Sequence, residues 1–426
     1  MLLAAIATFL VLLNLGFPIF IVILASTAVG VVLFGGTNPI ILIQQLFNGL
    51  DRFVILAVPF FIMAGSIAAQ GDVSRRIVNA MNVLFGRVRG GLGMATVFAC
   101  AFFSTITGSS MATVIAIGSI MLPSLVKNGY PKRMALGIIT CSGTLGVLIP
   151  PSIPMVILCV AMETSIGSQF LAGFLPGLLI SIVFCIYIWI ISTINNFGEV
   201  KKYSFRESLI ILKESTFAIL FPVIVLGGIY GGLTTPTEAA AVSLIYVLIV
   251  ELFIYKKIKF KDLTRLLGTA AVTSGTLTII LACAITFVWF MTVEQIPGML
   301  SELVTGFIAS KPLLLIFLIL VFLFVGLFMN VISVVLILGP MLLPTLNYFD
   351  VNLIHFGVIA VVMSEVGFVT PPFGLCLFVA IQVSHESMNE VVRSSLPFLI
   401  ILFLVSLVLA FIPQISLFLP NLFYGQ

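Results

Sequence analysis

Ser104, Thr107, Gly108 and Ser109 interrupt an apolar segment and offer hydroxyls and turn carbonyls in surroundings otherwise poor in oxygen ligands. Oxygen ligands of this kind suit a hard cation. About forty residues later Pro150 and Pro151 lack N–H groups, so the carbonyls one turn upstream, around Gly146 and Val147, lose their helical donors. Freed carbonyls and the C-terminal ends of half-helices are suited to Na⁺, and the N-terminal ends of half-helices to anionic substrate groups. The competing reading of the same residues is that small and hydroxyl side chains merely let helices approach closely.

The pattern occurs twice. A shift of 221 residues lays Gly118 on Gly339, Leu122–Pro123 on Leu343–Pro344, Gly146 on Gly367, Pro150–Pro151 on Pro371–Pro372 and Pro176 on Pro397. Interrupted apolar segments at matching places in two halves point to a transporter's binding site, which weakens the packing-only reading. The second copy is less polar at its interruption, with Phe328, Met329, Asn330 and Ser333 where the first has Thr107, Gly108, Ser109 and Ala112. Ligands there are expected to be mainly carbonyl, joined by Asn330, Thr370 and the break at Gly367. Glu365, two residues before that break, is a carboxylate within an apolar segment and a functional candidate by default; its alternative is a hydrogen-bonded supporting group. Ser110, Thr113 and Ser333 beside the two interruptions, with Glu365 and Arg52, are the candidates to face substrate. Arg52 is open to the plainer reading of snorkelling to the interface. His355 reads as a helix-end polar residue.

The elements that must hold these residues follow from composition. Of 426 residues 61% are hydrophobic and 8% charged, against roughly 25% charged in soluble domains, so the chain is a polytopic membrane protein. The six cysteines lie singly in apolar segments and indicate neither disulfides nor a zinc site. The net charge of +4 sits in loops, where it reports topology and not nucleic-acid binding. Met1 to Phe34 is uncharged, too long for one crossing, and should divide at Gly16 and Pro18; with no basic leader it reads as a retained span. An amphipathic stretch over Pro39–Leu50, a span over Phe53–Gln70 and a polar loop over 71–89 follow.

The first interruption turns a hairpin over about 92–126, and the first proline pair breaks a helix over 134–162. After a span at about 174–194, a charged linker over 195–215 leads to the second copy. Spans near 216–232, 237–255 and 267–292 precede hairpin two (about 312–347), a second broken helix (353–384) and a closing span over 395–419. Repeat one is therefore 1–194, and repeat two 216–426. Loops 71–89 and 127–133 carry seven Lys/Arg, whereas their counterparts 293–311 and 348–354 carry only Lys311, against Glu294, Glu302 and Asp350. Because Lys and Arg favour the cytoplasm, the repeats are inverted and the linker is cytoplasmic, provided the hairpins are re-entrant. Backbone unwound inside a bilayer must line a protected cavity, so the tips and breaks imply a polar site at the midplane.

No phosphate-binding Gly-rich loop, zinc-binding HExxH or G-x-S-x-G elbow occurs, so neither ATP hydrolysis nor another enzyme activity is expected. The breaks without a continuous polar pore-lining helix argue against a channel.

Several stretches together resemble one family: Ser-x-x-x-Gly-Ser-Ser-x-Ala-Thr (104–113), Gly-Thr-Leu-Gly-Val-Leu-Ile-Pro-Pro-Ser-Ile-Pro (143–154), Leu-Ala-Gly-x-x-Pro-Gly (171–177), Thr-Pro-Thr-Glu-Ala-Ala-Ala (235–241) and Glu-Val-Gly-x-x-Thr-Pro-Pro-x-Gly (365–374). The chain resembles, over its whole length, the large membrane subunit of tripartite ATP-independent periplasmic (TRAP) transporters. The resemblance implies an all-α, elevator-type inner-membrane transporter with two inverted repeats, taking up an organic acid with Na⁺ as coupling ion and no other cofactor. It further implies a small four-helix membrane subunit and a soluble periplasmic binding protein as partners. Sodium ligands carried over by motif are Ser104, Thr107, Ser109, Gly146, Ile149 and Pro151 in copy one, and Phe328, Asn330, Gly367, Thr370 and Pro372 in copy two. Thr107 stands where Ser is also common, which keeps the hydroxyl. Substrates of the family are mainly C4-dicarboxylates, other carboxylates and sialic acid, and this chain looks nearest the sialic acid type. The alternative is a stand-alone sodium- or proton-coupled carboxylate carrier of the wider ion-transporter class.

Overall fold

The computed structural model describes residues 2–34, 38–200 and 203–425, and among them there is no strand. The first copy runs α1 (Leu2–Asn14), α2 (Ile19–Phe34), α3 (Ile40–Leu50), α4 (Ala57–Gln70, entered through a 3-10 turn at Phe53–Leu56), α5 (Val73–Phe85), α6 (Gly91–Thr107), α7 (Ser110–Lys127), α8 (Lys132–Ser142), the single turn α9 (Leu145–Leu148), α10 (Ile153–Met162) and α11 (Ile166–Ile194). The second runs α12 (Phe205–Tyr230), α13 (Pro236–Ile249, continued by a π-helical turn at Val250–Ile254), α14 (Phe260–Val293), α15 (Ile296–Phe307), α16 (Lys311–Gly326), α17 (Val331–Tyr348), α18 (Leu353–Phe368), α19 (Leu375–Ser384), α20 (Met388–Phe411) and α21 (Pro413–Tyr424). Hairpin one is α6–α7 and hairpin two α16–α17; the broken helices are α8–α10 and α18–α19.

Gly16 and Pro18 divide the N-terminal segment as expected, with Gly16 at φ +76°. Three expected loops differ. Residues 71–89 contain α5 and residues 293–311 contain α15. In α5 the polar composition conceals an amphipathic helix, which buries Val73, Ile77, Val78 and Met81 on one face while Arg75 stays exposed. The linker is half helical, because α12 starts within it at Phe205, where the Ser204 N–H donates to Glu207 Oε2 at 2.9 Å. Lys201 and Lys202 of that linker lie outside the described residues. The closing span is two helices, α20 and α21, parted at Pro413.

Among the described residues, nine helical stretches are long and apolar enough to cross a membrane. By contrast α10 and α19 have ten residues each, or about 15 Å, half of a ~30 Å hydrocarbon core. Broken helix one is 94% buried over its most apolar window, against 28% for α12, so the first runs through the middle of the protein and the second faces lipid.

The copies interlock. Helix α7 packs on α19, and at the symmetry-related place α17 packs on α10; α6 packs on α8 and α9, and α16 on α18. Helices α11 and α20 close around this core, α11 on α6 and α18 and α20 on α8 and α18. The remaining spans form a frame in which α4 packs on α13, and α14 on α2, α3 and α4. Lys132 and Arg133 at the start of α8 pair with Glu386 and Glu390 at the entry to α20.

Loop charge makes a topology test direct. A single cysteine at Lys127, exposed at the end of α7, is expected to react with an impermeant thiol reagent only from the cytoplasm, and one at Asp350, exposed after α17, only from outside. All six native cysteines are buried, so background labelling is low. Reaction of both sites from one side would rule out the inverted arrangement.

Candidate functional site

Each hairpin tip lies against the break of its own copy. Helix α6 ends at Gly108, whose φ of +57° reverses the chain, and Ser109 then caps α7 by accepting from the Ala112 N–H at 3.5 Å. A Cβ on Gly108 would lie 3.0 Å from the Pro151 carbonyl oxygen, and one on Gly146 only 2.7 Å from the Ser109 carbonyl oxygen. Thr107, Gly108, Ser109, Gly146 and Pro151 are therefore in one place. The Thr107 and Thr113 hydroxyls meet at 3.2 Å, and Thr113 Oγ1 donates to the Ser109 carbonyl at 2.9 Å. Ser104, one turn back on α6, is buried and donates to the Ala101 carbonyl at 2.5 Å. Chain extension at Ile149 (φ −81°, ψ 123°) ends α9, and the Ile149 side chain anchors the break against Gly177 of α11.

Copy two repeats the plan with different means. A Cβ on Gly367 would lie 2.6 Å from the Leu323 carbonyl oxygen and 2.9 Å from the Gly326 Cα, so backbone meets backbone between α18 and α16. Asn330 caps α17, its Oδ1 accepting from the Ser333 N–H at 2.8 Å. The Phe328 ring packs on Phe373 at 5.2 Å, which sets the tip beside Pro372. Thr370 differs from the expectation of a wholly freed carbonyl: its N–H donates to the Gly367 oxygen at 2.9 Å, and its hydroxyl to the Val366 oxygen at 2.6 Å. One extra helical turn forms here because the residues before the proline pair still carry N–H groups. Each of these carbonyls keeps a second lone pair. Both proline pairs, 150–151 and 371–372, are joined by cis peptides.

Glu365 lies between the copies. Its carboxylate is 3% exposed, neither oxygen has a hydrogen-bond partner, and the Ser110 hydroxyl of hairpin one, also unpartnered, faces it. That Ser110 hydroxyl is the described side chain placed to support the carboxylate, so Glu365 fits both readings, a group facing substrate and a supporting group. Ser333 is buried and its hydroxyl likewise unpartnered.

Two other candidates lie elsewhere. Arg52 is not brought to the tips: its guanidinium donates to the Val160 carbonyl at 3.1 Å and pairs with Glu163 at 3.4 Å, at the far end of α10 from the break. The carbonyl end of a helix attracts a cation there. His355 holds Ser416 through Nδ1 at 2.7 Å and the Ala410 carbonyl through Nε2 at 3.1 Å, fastening α21 to α18.

The sequence reading missed Glu251. It is fully buried and accepts from the Asp72 and Val73 N–H groups at 3.0 and 2.8 Å, capping α5 from the π-helical end of α13. A carboxylate within an apolar span was the available signal.

The chain's likeness to known proteins accords with this geometry. The family model for the tripartite ATP-independent periplasmic transporter, DctM component, matches residues 6–415. The C4-dicarboxylate TRAP transporter large permease protein DctM of Pseudomonas aeruginosa is 38% identical over 396 residues, covering 93% of each chain. The sialic acid TRAP transporter large permease protein SiaM of Vibrio cholerae is 36% identical over 386 residues, covering 90% of each. These relatives are named as transporter permeases and not as enzymes. Among solved structures, that of the Alcanivorax borkumensis YdaH transporter superposes with a TM-score of 0.64 at 13% identity, covering 88% of this chain and 87% of that one, which shows a shared fold. A multi-pass inner-membrane protein with duplicated hairpins and breaks, matched along nearly all its length, belongs to the DctM family of TRAP transporters as a large permease.

Proposed function

We propose that this permease couples inward movement of Na⁺ to uptake of an organic-acid anion by an elevator mechanism, in which both hairpins and both broken helices move as one body past the frame. The carrying observation is the close apposition of each tip with the break of its own copy, which gathers carbonyl and hydroxyl oxygens, in copy one among largely buried residues and in copy two beside the exposed Phe328 and Phe373 rings. The ion sites would be formed in copy one by Ser104, Thr107, Ser109, Gly146, Ile149 and Pro151, and in copy two by Phe328, Asn330, Gly367, Thr370 and Pro372. The substrate would lie between the tips, within reach of Ser110, Thr113 and Glu365, whereas Ser333 lines the seam between hairpin two and the frame. Arg52 is better explained as a contact between frame and core. Packing of α11 and α20 on the broken helices supports their travelling with the core.

A soluble periplasmic binding protein would deliver the anion, and a small four-helix membrane subunit would brace the frame. Sialic acid and C4-dicarboxylates are the first substrates to test, since relatives named for each are similar to this chain to nearly the same degree.

In proteoliposomes supplied with binding protein, uptake should require an inward Na⁺ gradient. Ser109→Ala and Asn330→Ala should raise half-saturating Na⁺ roughly ten- to hundredfold, since a charge-assisted contact contributes about 1.5–3 kcal/mol. Asn330→Ser, which keeps the α17 cap, separates loss of the amide ligand from loss of the cap. Unchanged Na⁺ dependence in both alanine variants, at normal expression, would remove the tips from the ion sites. Uptake driven equally well without Na⁺ would favour a proton-coupled carrier.

A further inference from the structure

A groove of about 270 Å³ lies between α1 and α14 of the frame on one side and hairpin two on the other. Its frame wall includes Ala5, Phe287 and Met291, and its hairpin wall Met329, Ser333 and Ile337. Among the described residues, the Ser333 hydroxyl, buried and unpartnered, is the one side-chain polar group lining it. A single hydroxyl does not hold water, which needs two to four polar partners. The rim residues Ile6 and Leu10 are 42% and 52% exposed, and they belong to an uncharged helix of a membrane protein. The mouth therefore opens on hydrocarbon.

This seam is one of the places where the two bodies meet, α14 packing on α17. The frame helices α1, α2, α3 and α14 form an apolar cluster separate from the main core, to which hairpin two contributes Ile337 as a buried member and Met329 and Met341 as partly buried ones. Three methionines, Met291, Met329 and Met341, line the groove, and unbranched thioether side chains adapt to a flexible chain better than branched ones. The hairpin residues of the groove extend from the tip along α17 towards Tyr348, so the groove reaches from the midplane into the leaflet that hairpin two enters, the outer one by loop charge.

We propose that the groove binds the acyl chain of an outer-leaflet phospholipid, which lies between the frame and hairpin two and bears on the back of the tip at Met329 and Ser333. The groove's length along α17 and the absence of charge among its described lining residues fit a hydrocarbon tail and disfavour a headgroup or the anionic substrate. A tail held there fills a gap that would otherwise be void, and must leave or shift whenever hairpin two moves relative to α1 and α14. The site is independent of which ion or acid the permease carries.

The test uses the intact permease in liposomes containing a phosphatidylethanolamine with a diazirine on its acyl chain, followed by peptide mapping after irradiation. Labelling of the segment 329–341 should exceed that of the lipid-facing stretch around Leu404 on α20 by roughly tenfold, and Ile6→Trp at the rim and Ala5→Phe inside should each remove most of that excess. Unchanged labelling around Leu404 shows that a variant is folded and inserted, and the rim variant disturbs no buried contact if the interior one misfolds. Equal labelling of 329–341 and the Leu404 region, or an excess that survives Ile6→Trp in inserted protein, overturns the proposal.

Discussion

Gly146→Ala and Gly367→Ala are each expected to reduce Na⁺-driven uptake roughly a hundredfold while leaving the protein expressed and inserted. Alanine forms helix better than glycine by about 1 kcal/mol, so local propensity alone would make both changes favourable. Packing reverses the sign. The new methyl would stand 2.7 Å from the Ser109 carbonyl oxygen in the first case and 2.6 Å from the Leu323 carbonyl oxygen in the second. Those oxygens belong to backbone and not to the end of a flexible side chain, so the hairpin itself must move away from the break. Overpacking of this kind costs typically 1–3 kcal/mol, and a shift of even half an ångström spoils oxygen ligands arranged around an ion. Gly268 and Gly275 on α14 provide the control, since nothing lies within 4 Å of a Cβ at either, and alanine there should be silent. Wild-type Na⁺ dependence in both test variants would show that the apposition of tip and break has no part in ion binding.

How far this site could be read from sequence depended on the kind of signal. Proline pairs and glycines repeated at a fixed offset are backbone instructions, and they located both breaks: α9 ends at Leu148 and α18 at Phe368, each just ahead of its prolines. Apolar run length gave the spans, because a bilayer demands it. What stayed hidden were contacts between residues far apart in the chain. Nothing local to Arg52 states that it docks on Val160 and Glu163, and nothing local to Ser110 states that it faces Glu365. Amphipathic helices were the other loss. Both α5 and α15 lie in stretches read as loops for their charges and prolines, yet α5 keeps a buried stripe at Val73, Ile77 and Met81. Its cap comes from Glu251, 178 residues beyond Val73. The extra turn that engages the Gly367 carbonyl through the Thr370 N–H is local, and it departs from what the proline rule alone gives.

A cross-link between frame and core is expected to abolish uptake without loss of Na⁺ binding. Arg52 lies between α3 and α4 of the frame, and Glu163 follows α10 of the core, and their side chains meet at 3.4 Å. The two copies also make unequal contacts with the frame: α4 packs on both arms of hairpin one, whereas at the related place α14 packs on α17. Such inequality is what one of two exchangeable arrangements of inverted repeats would give. An Arg52→Cys/Glu163→Cys variant joined by a cleavable bifunctional reagent ties the bodies together at a point remote from both tips. The measurement is Na⁺-driven uptake by the same protein before linking, after quantitative linking and after cleavage, with Na⁺ binding followed in parallel. Movement of the core as one body predicts uptake that disappears on linking, is not rescued by binding protein and returns on cleavage, with Na⁺ binding unchanged throughout. Full uptake by the quantitatively linked permease would contradict it and leave local opening of the hairpins as the mechanism.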